Sequence, residues 1–530
     1  MPYTPIKAPA TRNMRRYSSI SPVKGVDNRV FSALLSPQDA LVVQNYVPDA
    51  EGKLDMRKGR SDLFTITGVN GFDFYIRFTS DTFIFAYGTT VAAYNENTGV
   101  VTNIKTDFSV NNGFVGVRYG EYFFVVNGVE KMWRIDTALT ITEVASSPVM
   151  TKIFVVTNRL AGVLASDKTQ LRYSEVDTGS NPPFTAWSNS TTATDGGQVG
   201  YRNAGEIHDV LYLGNVFICL CDYGKWGFTI DQSDVGGTVK KIDQDVFSNQ
   251  DLGGFKGIVT EKGIYYVNEG AIMNLISVGQ PNIPYSKQEN NIAYALGKSF
   301  FENADFSEAD LAYDDTNEIL MITYRTAGTS VNNKFLIFNT NTKAFASFTN
   351  WPIKSLYVDF NGSIYGTSSV ANTVYRLFDG YDDGGQEIST MYYQEMTGIG
   401  DYNTAKDLIK FMAQTSLSSS SLVTFSFDIW DYYNVFQPNV HSYCMSLQNE
   451  PDQADGYGEI SYGSGGYGGN PDENDMTIGA YDTYKPMIRN FQRIFLRVTS
   501  SGVVPHTINM FMAEVKEKSY IRIRNIVQCN

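Results

Sequence analysis

The feature that most constrains this chain is a series of short apolar runs separated by tight-turn residues and repeated on one plan. The clearest stretch lies between Thr151 and Ile230. KIFVV leads to a turn at Thr157-Asn158-Arg159, LAGVLA to a turn at Ser166-Asp167-Lys168, and LRYSEV closes the unit. DVLYLG then turns at Asn215, VFICLC turns at Asp222-Tyr223-Gly224, and WGFTI closes the next. Apolar runs of this length bounded by Asn, Asp and Gly are strand signals, and three in succession describe an antiparallel meander. One such meander cannot bury its own apolar face, so it must stack on others.

Similar units occupy 72–99, 113–136, 254–279, 311–348 and 355–380, with turns such as Tyr119-Gly120, Asn127-Gly128, Lys262-Gly263 and Asn361-Gly362. Together with the opening pair they make seven units at a spacing of roughly forty residues, the period of propeller blades. The expectation is an all-β chain: a β-propeller of about six to eight blades over 36–380. A stacked array of sandwiches is the alternative arrangement. Beyond Gly380 the pattern changes to longer alternating strands, among them LVTFSFDIWDYY with Val423, Phe425, Phe427 and Ile429 on one face. FQRIFLRVTSSG and HTINMFMAEVKEK read as a closing strand pair, and 381–530 is expected to be an attached β-sandwich.

Composition agrees with β-structure. The chain has 34 Tyr and 33 Phe and only 18% charged residues, so Asn, Thr, Ser, Gly and Tyr must supply its polar surface. The formal net charge of −14 argues against tight binding to a phosphate backbone, which needs clustered Lys and Arg. It does not exclude a passage through which nucleic acid slides without sticking. The N-terminus lacks an apolar run of signal-peptide length, and no run reaches the ~18 residues of a membrane span. A chain made in a cytoplasm and not exported by a cleaved signal is expected.

Two segments invite a contact role. Residues 1–35 form a basic N-terminal arm containing Arg12, Arg15, Arg16, Lys24 and Arg29, which reads either as a solvated arm or as one reaching a neighbouring subunit or acidic partner. The Gly-, Tyr- and Asp-rich stretch 448–484 has no apolar periodicity and is expected to be a mobile loop. Its tyrosines Tyr457, Tyr462, Tyr467 and Tyr481, spaced by glycines, make it a candidate adhesive or gating tip.

No catalytic constellation is visible. Ser166-Asp167-Lys168-Thr169 begins like a sialidase box but lacks its Gly and Trp, and no second copy occurs. Asp314-Asp315 and Asp382-Asp383 sit in turn-like segments, where Asp is expected for backbone reasons. Phosphate-binding, zinc-protease and nucleophile-elbow motifs are missing, and so are paired WD40 or kelch signatures. Cys219 and Cys221 lie two apart on one face of a strand and read as small core residues; with three histidines, little remains for a metal site. A non-enzymatic chain without cofactor or metal is expected.

Four stretches carry a family resemblance: NRLAGVLASDKTQLRYSEV with NPPFTAW, EIHDVLYLGNVFICLCDYGKWGFTI, GFKGIVTEKGIYYVNEGAIMNLIS, and NFQRIFLRVTSSGVVPHTINMFMAEV. In layout and short motifs they resemble the tail-hub or nozzle proteins of short-tailed phages, also called packaged-DNA stabilisation or head-completion proteins. The resemblance covers about 40–380 and the last forty residues. It implies a virion protein of the phage tail, present as a homohexamer below the portal and its adaptor. It further implies a central channel for genomic DNA, retention of the packaged genome, and attachment of tail fibres or a needle. Six copies at −14 each carry −84 of formal charge, and an acidic wall would let DNA pass with little friction. The stretch 448–484 has no counterpart in the resemblance and is a candidate channel constriction. The rival expectation is a receptor- or carbohydrate-binding propeller at a tail tip.

Overall fold

The computed structural model describes residues 15–20, 25–28, 39–49, 53–67, 71–109, 113–156, 158–177, 179, 183–187, 196–213, 216–230, 239–242, 253–275, 289–396, 404–417, 422–431, 433, 435–446, 477–484, 486 and 488–518. The chain divides into two compact units. One comprises Arg60–Phe338 and Phe348–Asp379, the other Met1–Gly59, Asn339–Ser347 and Gly380–Asn530.

The first unit is a β-propeller. Six separate four-stranded antiparallel sheets stand in a ring. The inner strands of the first five, in chain order, are Phe74–Arg77, Val115–Tyr119, Met150–Val156, Ile207–Leu213 and Lys256–Thr260. The sixth sheet begins with Ile353–Val358. Between the fifth and this last sheet stands a further meander of Ala304–Asp314, Ile319–Thr326 and Lys334–Asn339. The seven places are counted below as blades 1 to 7, and all seven were legible as repeats in the sequence.

Blade 7 is completed from the other end of the unit. Its outermost strand is Arg60–Thr65, which pairs antiparallel with Thr373–Leu377 (Leu377 opposite Arg60, Val374 opposite Phe64). The start and finish of the propeller sequence are therefore laced into one sheet. Loss of this strand would leave an open edge on that blade.

Apolar side chains fill the spaces between consecutive blades. Phe74, Ile84 and Ala93 of blade 1 pack with Phe123, Val125 and Ile135 of blade 2. Val163 and Tyr173 of blade 3 meet Phe217, Cys219, Cys221 and Trp226 of blade 4. Cys219 and Cys221 thus sit in the core as small hydrophobes, and burial pushes the Cys221 thiol up to about 12. Gly116 shows how closely blades 1 and 2 approach. A Cβ there would lie 2.6 Å from the Phe123 ring and 2.8 Å from the Phe74 ring, two rings that stack on each other.

The second unit is a sandwich in which two layers of one bent sheet face each other. One layer runs Ile388–Glu395, Ile488–Gly502, Leu422–Asp431, Phe436–Ser446; the other runs Thr477–Tyr484, Ala405–Leu417, His506–Lys518, Arg15–Ile20. They are joined where Lys406 and Leu408 pair with Phe491 and Ile488. Phe425 and Phe427, from the alternating stretch recognised in the sequence, meet Phe411 and Phe511 across the interior at ring separations of 5.1–6.0 Å.

The unit boundary differs from the expected one at residue 36. Val42–Gln44 pairs with Met391–Tyr393 of the sandwich, and Asp55 pairs with Thr507, so residues through Gly59 belong with the C-terminal segment. Long-range strand pairing, which local periodicity does not encode, decides this assignment.

Candidate functional site

The most organised group of polar side chains in the propeller unit is a belt on its inner strands. From blade 3 onward these strands carry Lys152, Asp209, Lys256, Asp310 and Lys354 in turn, and Asp73 immediately precedes the inner strand of blade 1. The charges alternate in sign around the ring. Irregular pairing presents four of them: the register slips between Met150 and Lys152, between Ile207 and Asp209, between Asp305 and Asp310, and between Ile353 and Ser355. A slip of this kind re-aims one side chain out of the pleat.

Each belt residue bonds to a neighbouring blade. Asp73 Oδ1 accepts from Lys354 Nζ at 2.7 Å, and its Oδ2 accepts from the Phe114 N–H of blade 2 at 3.3 Å. Asp209 Oδ2 accepts from the Gly257 N–H of blade 5 at 3.1 Å. Asp310 Oδ2 accepts from the Leu356 N–H of blade 7 at 2.8 Å. Lys256 lies between two carboxylates, 3.8 Å from Asp209 and 3.6 Å from Asp310. Lys152 Nζ donates to the His208 carbonyl of blade 4.

Burial and charge act together on these groups. Lys256 keeps 38% of its side chain exposed while lying between the two carboxylates. The Asp209 carboxylate, with Asp310 beside it, holds the Lys256 ammonium above its ordinary range against the cost of burial. Burial pushes Asp310 up, opposed by Lys256 and by the Leu356 N–H. Desolvation lowers Lys152, opposed by Asp209. What this belt can do chemically is join blade to blade. Each carboxylate takes a main-chain N–H of the next blade, and each ammonium bridges acceptors.

Sequence reasoning passed over the belt, although its signal was present. A single charge stands at the head of an apolar run in unit after unit: KIFVV, DVLYL, KGIVT, DLAY, KSLYV and DFYI.

The expected contact residues are distributed differently. Arg15 and Arg16 lie on the strand Arg15–Ile20, whose main chain pairs with Phe511–Lys516 of its own unit. Gly25 bridges Phe345 in the same unit, at φ +71° and with no room for a Cβ beside the Phe345 carbonyl. The described parts of the arm are therefore built into the sandwich, which corrects the solvated-arm reading for them. Arg12 and Arg29 lie outside the described residues. Tyr481 belongs to the strand Thr477–Tyr484, paired with Phe411–Leu417 (Tyr481 opposite Gln414), so the loop expected over 448–484 ends earlier. Alternation in TIGAYDTY was hidden by the surrounding glycines. Tyr457, Tyr462 and Tyr467 lie outside the described residues.

The carboxylate pairs considered for catalysis have structural partners. Asp314 Oδ1 accepts from the Thr316 and Asn317 N–H groups, and Asp382 Oδ1 from that of Gly385. Asp383 is no simple turn residue, since its carboxylate takes a two-pronged ion pair from Arg57, both side chains being buried. Asp167 accepts from the Thr169 main chain and hydroxyl. Among the described residues no group of three His, Cys, Asp or Glu side chains is placed to hold a metal ion. No helix among them is long and apolar enough to cross a membrane.

No protein-family model matches the sequence, and no curated protein matches it. Solved structures match at low identity and low structural similarity. One is the extracellular domain of a putative one-component system from B. thetaiotaomicron, at 12% identity and TM-score 0.42, covering 62% of this chain. The match spans about two-fifths (41%) of that domain. The computationally designed Ika8 protein matches at 7% identity and TM-score 0.36, covering 60% of this chain and 99% of its own. A chain of the mitotic checkpoint complex matches at 11% identity and TM-score 0.42, covering 66% and 99%. The class defined is a β-propeller protein with a second, sandwich unit.

Proposed function

We propose that this chain is a structural subunit of a phage tail, a nozzle or hub of the short-tailed type. Six copies would form a ring below the portal and adaptor, provide the DNA ejection channel, retain the packaged genome and anchor fibres or a needle. The observation that carries a structural role is the use made of buried charge. In the propeller unit the axial carboxylates are spent on blade-to-blade bonds, and in the sandwich Arg57 and Asp383 are spent on each other. Rigid units of this kind suit a part that must hold its shape under load. The assignment to a tail rests on the resemblance in the sequence. The formal charge of −14 supports a channel that nucleic acid traverses without sequence-specific binding.

The test is copy number per particle, measured by quantitative mass spectrometry of purified virions against the portal protein. Half as many copies as portal subunits is the expected result. Copies matching the fibres would point to the receptor-binding alternative, and absence from virions would overturn the tail assignment.

A further inference from the structure

We propose that the junction between blades 1 and 7 of the propeller holds a small saccharide-binding site, with Phe360 as its stacking platform and Glu96 as its hydroxyl acceptor. The site would take one pyranose ring of a glycan. This inference does not rest on the nozzle reading.

The platform is held rigidly. Phe360 occupies the turn after the inner strand of blade 7, and 71% of it is exposed. Single exposed hydrophobes are ordinary on protein surfaces, but this one is unusually well anchored. Asp359 Oδ1 accepts from the main-chain N–H groups of Asn361 and Ser363, both at 2.9 Å, which fixes the turn. Asp359 is itself fully buried and fixed by Arg77 of blade 1, whose Nε donates to Oδ2 at 3.1 Å. The ring is thus presented by a buried ion pair between the two blades.

Polar groups gather beside it. The Arg77 guanidinium lies 5.7 Å from the Phe360 ring centre and donates to Glu96 Oε2 at 3.0 Å. Glu96 Oε1 accepts from the Tyr365 hydroxyl at 3.2 Å. Glu96 is 30% exposed, so each oxygen, with one bond made, keeps a further lone pair within reach of a ligand. The Tyr75 ring lies 5.7 Å from that of Tyr365, and the Tyr75 hydroxyl is buried with no hydrogen-bond partner. That hydroxyl is closed off from solvent, so Tyr75 backs the site through ring packing on Phe83 and Tyr365. Glu96, Tyr365 and Arg77 all lie close enough to Tyr75 to act on its ionisation.

An aromatic face beside a charge-fixed, partly exposed carboxylate matches a sugar ring. The ring's C–H face is attracted by the negative π-face, and its hydroxyls meet acceptors that are already oriented.

Saturation-transfer NMR of the whole chain tests this, with d-glucose, d-galactose, N-acetyl-d-glucosamine and l-rhamnose as probes at millimolar concentration. Transfer to the C–H protons of at least one sugar is expected. Phe360→Ala, at an exposed turn position, should abolish that transfer while the melting temperature is unchanged. Glu96→Gln should weaken the same sugar roughly tenfold, equivalent to the loss of about 1.4 kcal/mol. Tyr75→Phe removes a hydroxyl that is closed off from solvent and should leave the transfer unchanged. No transfer to any of the four sugars, or equal transfer to the Phe360→Ala variant, overturns the proposal. Neither result bears on copy number in virions, so failure here is distinguishable from failure of the nozzle reading.

Discussion

Lowering the pH should destabilise the sandwich unit through one residue, His506. This side chain is 2% exposed, and its Nε2 lies 2.9 Å from the Tyr46 hydroxyl and 3.2 Å from Ser500 Oγ. Thr390 donates to the Tyr46 hydroxyl at 2.9 Å, so the Tyr46 proton is directed at the histidine. The imidazole also bonds the Val504 backbone, which leaves Nε2 as the acceptor of this chain. Protonating Nε2 would place two protons face to face and bury a charge.

Burial accordingly lowers His506 from 6.5 to about 4. The unfolded chain takes up its proton near pH 6.5 and the folded chain only near pH 4, so stability is intact above the higher value and falls with pH between the two. The gap of about 2.5 units at 1.36 kcal/mol each gives a loss of about 3 kcal/mol by pH 4. Hydrogen exchange of peptides from His506–Lys518, corrected for intrinsic rate and followed from pH 7 to pH 4.5, would read this as a falling opening free energy. His506→Gln keeps a polar side chain without a titrating ring. It should be less stable at pH 7 but have a flatter profile, because the other titrating groups respond equally in both proteins. Parallel profiles for the two proteins would refute the reasoning.

Asp310→Ala should destabilise the propeller by about 2–4 kcal/mol, since it leaves the Leu356 N–H unbonded and Lys256 with one carboxylate in place of two. Asp310→Asn keeps an acceptor and should cost less; urea unfolding that ranks the two in the opposite order would show that the bridge to Leu356 is not what matters. In the sandwich, Arg57→Met strands the buried Asp383 carboxylate and should cost about 3–5 kcal/mol. The double variant Arg57→Met with Asp383→Leu should recover most of that loss in the same urea titration, and additive losses would exclude the direct pair.

The repeat plan was legible because each meander is local. The turns at Asn127-Gly128 and Asn361-Gly362 announce hairpins within a few residues, and Val423 to Ile429 alternate on one strand. What could not be read depends on partners far along the chain. Arg60–Thr65 precedes all the blades, yet it finds its place beside Thr373–Leu377, more than three hundred residues on. Asp383 looked like a turn residue because Arg57, which gives it its role, lies 326 residues away. The alternating tail of the Gly- and Tyr-rich stretch was masked by its neighbours, and only pairing with Phe411–Leu417 makes Thr477–Tyr484 a strand. Local chemistry shows in composition and turns; closure and burial of charge arise only once distant strands meet.

The belt carries a constraint of its own. Seven places cannot alternate in sign without putting two like charges side by side or leaving one place neutral. Blade 2 is the place left out of the belt: its inner strand, Val115–Tyr119, begins beside Gly113 and Phe114, and its one charged residue, Arg118, lies further along and bonds to the Gly120 carbonyl of its own blade. Asp73 still reaches across, accepting from the Phe114 main chain where a lysine side chain would otherwise be needed. Gly116 then lets the Phe74 and Phe123 rings close the gap that a charged side chain would have propped open. Blades 1 and 2 are joined by aromatic packing and the Asp73 bond, and the belt's other contacts run from blade 3 round to blade 1. The junction of blades 2 and 3 rests on apolar packing and the Tyr119–Asp177 bond.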